Sequence, residues 1–252
     1  MGADAAPILE VFASYQGEGL FVGEPETFLR LAGCPLRCRY CDTAHSWVVG
    51  EDAEHLTPFG AMVRVAEVEL DALRPIAVTG GEPLLWPDFL LGLADVAGDR
   101  PLRLETAGHD LDALERVLGR FDHLSLDLKL AADLAPPTWS GAPDQPDLPA
   151  DAAAWDSLRP RQLALANAHV QDGGTAALKL VVTPGTDPDA FDTLLDDLTR
   201  LAPDLPLFLA PASRPKGAAY DMEPVDALAA RALAIGLFPR VLPQLHRALG
   251  VR

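Results

Sequence analysis

Cys34-Pro35-Leu36-Arg37-Cys38-Arg39-Tyr40-Cys41 contains every cysteine in the chain. A [4Fe–4S] cluster has four irons to ligate, so three thiolates leave one iron open. An open iron binds a small molecule through amino and carboxylate groups, whereas a structural metal site is closed by protein ligands. The alternative is a closed zinc site, with His45 as the fourth ligand. Disulfides fit poorly, because three clustered cysteines leave one unpaired.

The surrounding composition narrows the class. The chain has 252 residues, enough for one substantial α/β domain or two small ones, and 49% of them are apolar. No stretch approaches the roughly 20 apolar residues of a membrane-spanning helix. The N-terminus lacks a basic segment followed by an apolar run, so secretion is not indicated. Clustered reduced cysteines suit a reducing cytoplasm. A formal net charge of −17 argues against a nucleic-acid partner, which needs a basic face to meet phosphates.

Outward from the cysteines, apolar β-type runs recur at Ile8–Ala13, Thr27–Ala32, Ile76–Thr79, Leu102–Thr106, His123–Leu128, Ala177–Thr183 and Leu207–Pro211. Helical stripes lie between them. Phe59, Met62, Val63, Ala66, Leu70 and Leu73 share one face, as do Leu111, Leu114, Val117 and Leu118. Phe191, Leu194, Leu195, Leu198 and Leu201 make a third stripe, and all three are expected to be core contacts. Strands alternating with helices predict α/β architecture, parallel βαβ units and a partial or complete (β/α) barrel. Such a barrel carries its active groups at the carboxyl ends of the strands. Thr79-Gly80-Gly81, Glu105-Thr106, Asp127-Leu128-Lys129 and Pro211-Ala212-Ser213 each end a strand run. Pro136–Asp151, rich in Pro, Ala and Asp, reads as a loop or insertion within a single domain over residues 1–252.

Further motifs flank the cysteines. Phe12-Ala13-Ser14-Tyr15-Gln16-Gly17-Glu18-Gly19 precedes them, Gly23 and Phe28-Leu29-Arg30-Leu31 lie between, and Asp42-Thr43 follows Cys41 directly. Thr79-Gly80-Gly81-Glu82-Pro83, Glu105-Thr106 and Pro243-Gln244-Leu245-His246-Arg247 continue the series. The cysteine spacing resembles the signature of the radical S-adenosylmethionine (SAM) superfamily. The whole set resembles the 7-carboxy-7-deazaguanine synthase family, which contracts a pterin ring on the route to queuosine and related deazapurines. The resemblance spans nearly the whole chain, although its middle third carries few motifs.

The resemblance implies a mostly parallel, partial or modified (β/α) barrel of the radical SAM type and a carbon–nitrogen lyase activity. Cys34, Cys38 and Cys41 would hold the [4Fe–4S] cluster. Tyr40, Cys41, Asp42 and Gly81 match positions that border SAM, since glycine lets backbone approach a ligand closely. Asp127, Leu128 and Lys129, with Ala210, Pro211, Ala212 and Ser213, align with further SAM-contacting stretches. The first of these departs from the family's usual Ser-Pro-Lys, so a backbone contact survives there and a hydroxyl contact does not.

The implied substrate is 6-carboxy-5,6,7,8-tetrahydropterin. Arg30 is suited to its carboxylate, because guanidinium presents a planar fork of donors. Tyr15, Gln16, Gly17 and Glu18 form a Gly-flanked loop able to read the pterin's donors and acceptors. Thr79, Glu105, His246 and the terminal carboxylate of Arg252 match further substrate-facing positions. Thr43 resembles the family's Mg²⁺ ligand, with Asp42 holding the ion's water shell; Mg²⁺ commonly takes few protein ligands and keeps waters. The implied reaction runs by hydrogen abstraction at C6, ring contraction, return of a hydrogen atom and loss of ammonia, with SAM regenerated.

The resemblance also implies a homodimer and a flavodoxin- or ferredoxin-type electron donor. Two other readings share parts of the pattern. A glycyl-radical activating enzyme has the cysteine spacing but no need for Gln16-Gly17-Glu18-Gly19 or the Gln244/His246 tail. A zinc-stabilised binding module leaves Gly80-Gly81-Glu82-Pro83 unexplained.

Overall fold

Period-two alternation on the strands decides which side chains face the core and which face a ligand. In β2 (Pro25–Leu31), Leu29 and Leu31 join the main apolar core, while Phe28 and Arg30 line a pocket on the opposite face. The same split recurs in β4 (Ile76–Gly80), β5 (Leu102–Thr106), β6 (His123–Leu128) and β7 (Thr175–Val182). There Val78, Leu104, Leu126 and Leu178 enter the core, and Thr79, Glu105, Asp127 and Lys179 line the pocket. This computed structural model describes residues 4–69, 74–134, 152–213, 219–245 and 250.

With β1 (Ala6–Tyr15), β3 (Glu54–Leu56), β8 (Leu207–Pro211) and β9 (Arg240–Val241), the described residues form one nine-stranded sheet. Its order is β3-β1-β2-β4-β5-β6-β7-β8-β9. β1 runs antiparallel to both neighbours, and every pair from β2 to β9 is parallel. The sheet is open, as a partial barrel requires, with β3 and β9 at its edges. The expected strand runs are all strands. β3 and β9 were not legible, because three and two residues are too few to show a period.

Helices α1 (Pro58–Val68), α2 (Pro87–Ala97), α3 (Leu111–Leu118), α4 (Ala152–Asp156), α5 (Arg159–Gln171), α6 (Pro188–Leu201) and α7 (Glu223–Ala234) connect the strands. Side-chain caps start several of them: Thr57 accepts from the Gly60 amide and Asp110 from the Ala113 amide. The stripes expected for α3 and α6 face the core. Each fully buried Leu or Phe there contributes roughly 2 kcal/mol.

The α1 stripe is a correction. Phe59 is 70% and Val63 44% exposed, and Ala66 is exposed as well. The buried face is instead Pro58, Ala61 and Val65. Small residues win there because α1 packs tightly on α2: a Cβ at Gly92 would lie 2.7 Å from Pro58 Cγ. Leu70, Leu73 and the Pro136–Asp151 segment lie outside the described residues.

Candidate functional site

The cysteine loop leaves the carboxyl end of β2 and is fastened from three sides. Gly33 N donates to Ser46 O at 2.8 Å and Cys34 N to Trp47 O at 3.1 Å. Arg37 Nη1 donates to Cys34 O at 2.6 Å and Leu36 O at 2.8 Å, while its guanidinium lies 5.0 Å from the Trp47 ring. From the end of β4, Gly81 N reaches Leu31 O at 2.9 Å and Glu82 N reaches Gly33 O at 2.8 Å. A Cβ at Gly81 would lie 2.1 Å from Gly33 O, so glycine is required for this approach. The Glu82 carboxylate then accepts from Leu84 N, Ala107 N and Thr106 Oγ1, tying the end of β4 to that of β5.

The three thiols open on one pocket. Cys34 packs with Leu36, Ala107 and Trp155 in an apolar cluster that Cys38 and Trp47 border. Burial, with Glu82 nearby, pushes the Cys34 thiol up to about 12, and burial raises Cys38 too. Thiols in such surroundings ionise only when a cation compensates them. Among the described residues, no three His, Cys, Asp or Glu side chains could share one metal ion, and His45 is exposed. A cluster spreads its thiolates over separate irons, so this spacing fits a [4Fe–4S] group and not a closed zinc site.

The pocket has a volume of about 200 Å³. It brings together Tyr15, Gln16, Gly17, Glu18, Arg30, Thr79 and Glu105 on the side expected for substrate. Tyr40, Cys41, Asp42, Gly81, Asp127, Lys129, Ala210, Pro211 and Ser213 line the part expected for SAM, and Thr43 lines it with Cys34 and Cys38. Thr43 Oγ1 lies 3.8 Å from Cys41 Sγ. Two expected positions do not line it. Leu128 alternates away from Asp127 and Lys129 into the apolar core, and Ala212 sits outside the pocket wall. His246 and Arg252 lie outside the described residues.

Charge organises the interior. Lys179 pairs with Glu18 and, at 2.9 Å, with Asp127; Lys129 pairs with Asp127 at 2.8 Å and lies 5.5 Å from the Tyr40 ring. Burial alone would raise the Asp127 carboxyl, but Lys129 and Lys179 outweigh it and hold it below its usual range. Burial raises the Glu105 carboxyl, against the pull of Lys179. Arg30 Nε is taken by Glu10 at 2.8 Å, which aims the guanidinium along the pocket wall.

Sequence reasoning missed Lys179, Glu26 and Arg103. For Lys179 and Arg103 the available signal was a charged residue inside an apolar strand run, where burial demands a partner; Glu26 stands one residue before its run and gave no such signal. Gln244 was noted only as part of the tail motif. Its Nε2 donates to Glu18 Oε1 and to Asp42 Oδ2, both at 2.7 Å, and its Oε1 accepts from Ser213.

Comparison with known proteins agrees with this geometry. The Radical SAM superfamily matches residues 29–135. The chain is 34% identical over 251 residues to 7-carboxy-7-deazaguanine synthase of Methanothermobacter thermautotrophicus, covering 98% of both sequences. It is 30% identical over 270 residues to the synthase of Geobacter sulfurreducens, covering 99% of both. Among solved structures, QueE from Escherichia coli superposes with a TM-score of 0.61 at 22% identity, covering 96% of this chain and 95% of that one. That likeness establishes a shared fold.

Proposed function

The chain belongs to the 7-carboxy-7-deazaguanine synthase family of radical SAM enzymes, and from that premise we propose how its residues divide the work. The reaction is ring contraction of 6-carboxy-5,6,7,8-tetrahydropterin to 7-carboxy-7-deazaguanine with loss of ammonia. The observation that carries this reading is that one pocket is lined both by the three cysteines and by the Gln16, Glu18 and Glu105 side chains. Cys34, Cys38 and Cys41 would hold the [4Fe–4S] cluster, which together with bound SAM would supply the radical chemistry that the ring contraction needs.

The remaining residues bind and orient. Gly81 exposes backbone beside SAM, with Tyr40, Asp42 and the ends of β6 and β8 around it. Arg30 meets the substrate carboxylate with the donors that Glu10 leaves free, while Gln16, Glu18 and Glu105 read the pyrimidine edge. Thr43 would offer a hydroxyl to Mg²⁺, and Asp42 would hold the ion's water shell. The apolar packing of Leu36, Ala107 and Trp155 shields the Cys34 thiol from water.

The whole chain works as one catalytic domain, as a homodimer, reduced by a flavodoxin- or ferredoxin-type donor. A cytoplasmic location and a free small-molecule substrate, with neither nucleic acid nor membrane as partner, suit the net charge of −17. Among the described residues, no helix is long and apolar enough to cross a membrane.

Anaerobic reconstitution with iron and sulfide, then incubation with dithionite, SAM, Mg²⁺ and the pterin, tests the reading. Release of 7-carboxy-7-deazaguanine, identified by chromatography and mass, is the expected result. A brown protein that cleaves SAM without that product would discard the substrate, and a colourless zinc protein would discard the chemistry.

A further inference from the structure

Glu26, on β2, is fully buried beneath the substrate end of the pocket and takes no part in the roles above. Both of its carboxylate oxygens accept: Oε1 from Arg103 Nη1, and Oε2 from Gln16 Nε2 at 2.8 Å. Arg103 leans on Glu24 at 2.8 Å as well, which reaches solvent. Gln16 gives its other amide hydrogen to Glu105 Oε1 at 2.9 Å, and its Oε1 accepts from the Glu18 backbone N–H at 3.1 Å.

A carboxamide has two donor hydrogens on nitrogen and acceptor lone pairs on oxygen. Here two carboxylates claim the hydrogens and a backbone N–H claims the oxygen, so only one of the two amide orientations satisfies all partners. The chain Glu24–Arg103–Glu26–Gln16–Glu105 is unsuited to moving protons, because guanidinium keeps its protons and an amide does not exchange them readily. Its consequence is orientation.

We propose that Glu26 is a positioning residue for substrate recognition: it locks the Gln16 amide so that Gln16 and Glu105 face the ligand with acceptors only. A floor of acceptors takes a ligand edge made of donors, such as the amino and ring N–H groups of a 2-amino-4-oxopyrimidine. It rejects the analogue without the amino group, which leaves a buried acceptor unpaired. This rests on the pterin reading and assigns its selectivity to a residue outside ligand contact.

Two variants test the proposal. In Glu26→Gln the volume is unchanged, but the new NH₂ must face a donor, either Arg103 or the Gln16 amide. In Glu26→Ala/Arg103→Met the buried charges leave together, so the test survives if the single variant does not fold. For either, KM for the pterin should rise about tenfold or more while kcat stays within about threefold, as expected when a ground-state recognition contact is lost. Preference for the pterin over its 2-deamino analogue should fall by about tenfold or more. Unchanged KM and preference in a folded variant, or a fall confined to kcat, would overturn it. An inactive wild type would instead remove the pterin reading, and the proposal with it.

Discussion

Asp127 and Lys179 stand in register on adjacent parallel strands, with the Lys179 ammonium 2.9 Å from Asp127 Oδ1. Each has a second partner: Glu18 for Lys179, and Lys129 at 2.8 Å for Asp127. Charges therefore alternate in sign from the substrate loop to the Tyr40 end of the cysteine motif. The strand register makes the central pair a direct cross-strand neighbour, so one lysine serves both halves of the site.

Replacing that lysine should be costly. Lys179→Met leaves Glu18 and Glu105 near each other without the cation between them. Breaking a buried pair from one side costs roughly 3–5 kcal/mol. For a chain of this size that is a drop in Tm on the order of 10 °C. Circular dichroism melts of the two proteins decide it, and a Tm within about 2 °C of wild type would show that the pairs are energetically idle.

Gly81→Ala tests the clasp between the end of β4 and the cysteine loop. The added Cβ would fall 2.1 Å from Gly33 O and 2.8 Å from Ser46 O, both backbone atoms with little room to yield. Gly33 and Cys34 should be pushed outward together, because Gly33 N and Cys34 N are pinned to Ser46 O and Trp47 O. Iron bound per chain after reconstitution should fall by half or more, on the order of what a displaced ligand loses. Full iron content in the variant would mean that the clasp does not set the thiols.

The acid limb of stability has an identifiable contributor. Burial, helped by Arg103 and His169, lowers the imidazole of His123 from 6.5 to about 4. The unfolded chain takes up this proton near 6.5 and the folded chain only near 4, so stability falls as pH drops through that window. The loss reaches roughly 3 kcal/mol at the bottom of the window. His109 and His169 are also lowered by burial and act in the same direction. Glu26, whose carboxyl burial raises from 4.5 to about 7, acts in the opposite direction over the same window. The His123 share is therefore read by difference: relative to wild type, His123→Phe should raise the urea midpoint at about pH 5 against that at about pH 7.5. An unchanged gap between the two midpoints would clear His123 of the effect.

Much of this was legible from one sequence, for a physical reason. Strands β5, β6 and β8 begin and end as read, because leucines at alternate positions mark the core face of β5 and β6, and β8, buried throughout, is a continuous apolar run. The cysteines and Gly81 were legible because few residue types can ligate iron or let two backbones touch. The α1 face was misread because Phe59 and Val63 looked better suited to a core than Ala61, and close packing on Gly92 favours the smaller residue. Alternation sends the Leu128 side chain to the core, which leaves its backbone for the contact expected of that stretch. Lys179, Glu26 and Arg103 were missed because their partners are far apart in sequence, and a lone charge in or beside an apolar run does not name its partner.

Gln244 offers the last test, of whether the tail joins the two ends of the site. Its amide nitrogen donates to Glu18 Oε1 on the substrate loop and to Asp42 Oδ2 beside Cys41. Leu245 N adds a bond to Gly17 O at 2.9 Å, so the tail spans the pocket mouth at two successive residues. Gln244→Ala keeps the backbone bond and removes the link between the two carboxylates. With each ligand's wall less well oriented, kcat/KM for the pterin should fall about 10- to 100-fold, in the range that misplacement of reactants costs. SAM affinity, measured without pterin, should change less than pterin affinity, since Asp42 is one of several groups proposed for the SAM side whereas Glu18 is proposed to read the pterin itself. Equal losses for both ligands would make Gln244 a general structural tie, and no loss at all would leave the tail outside the chemistry.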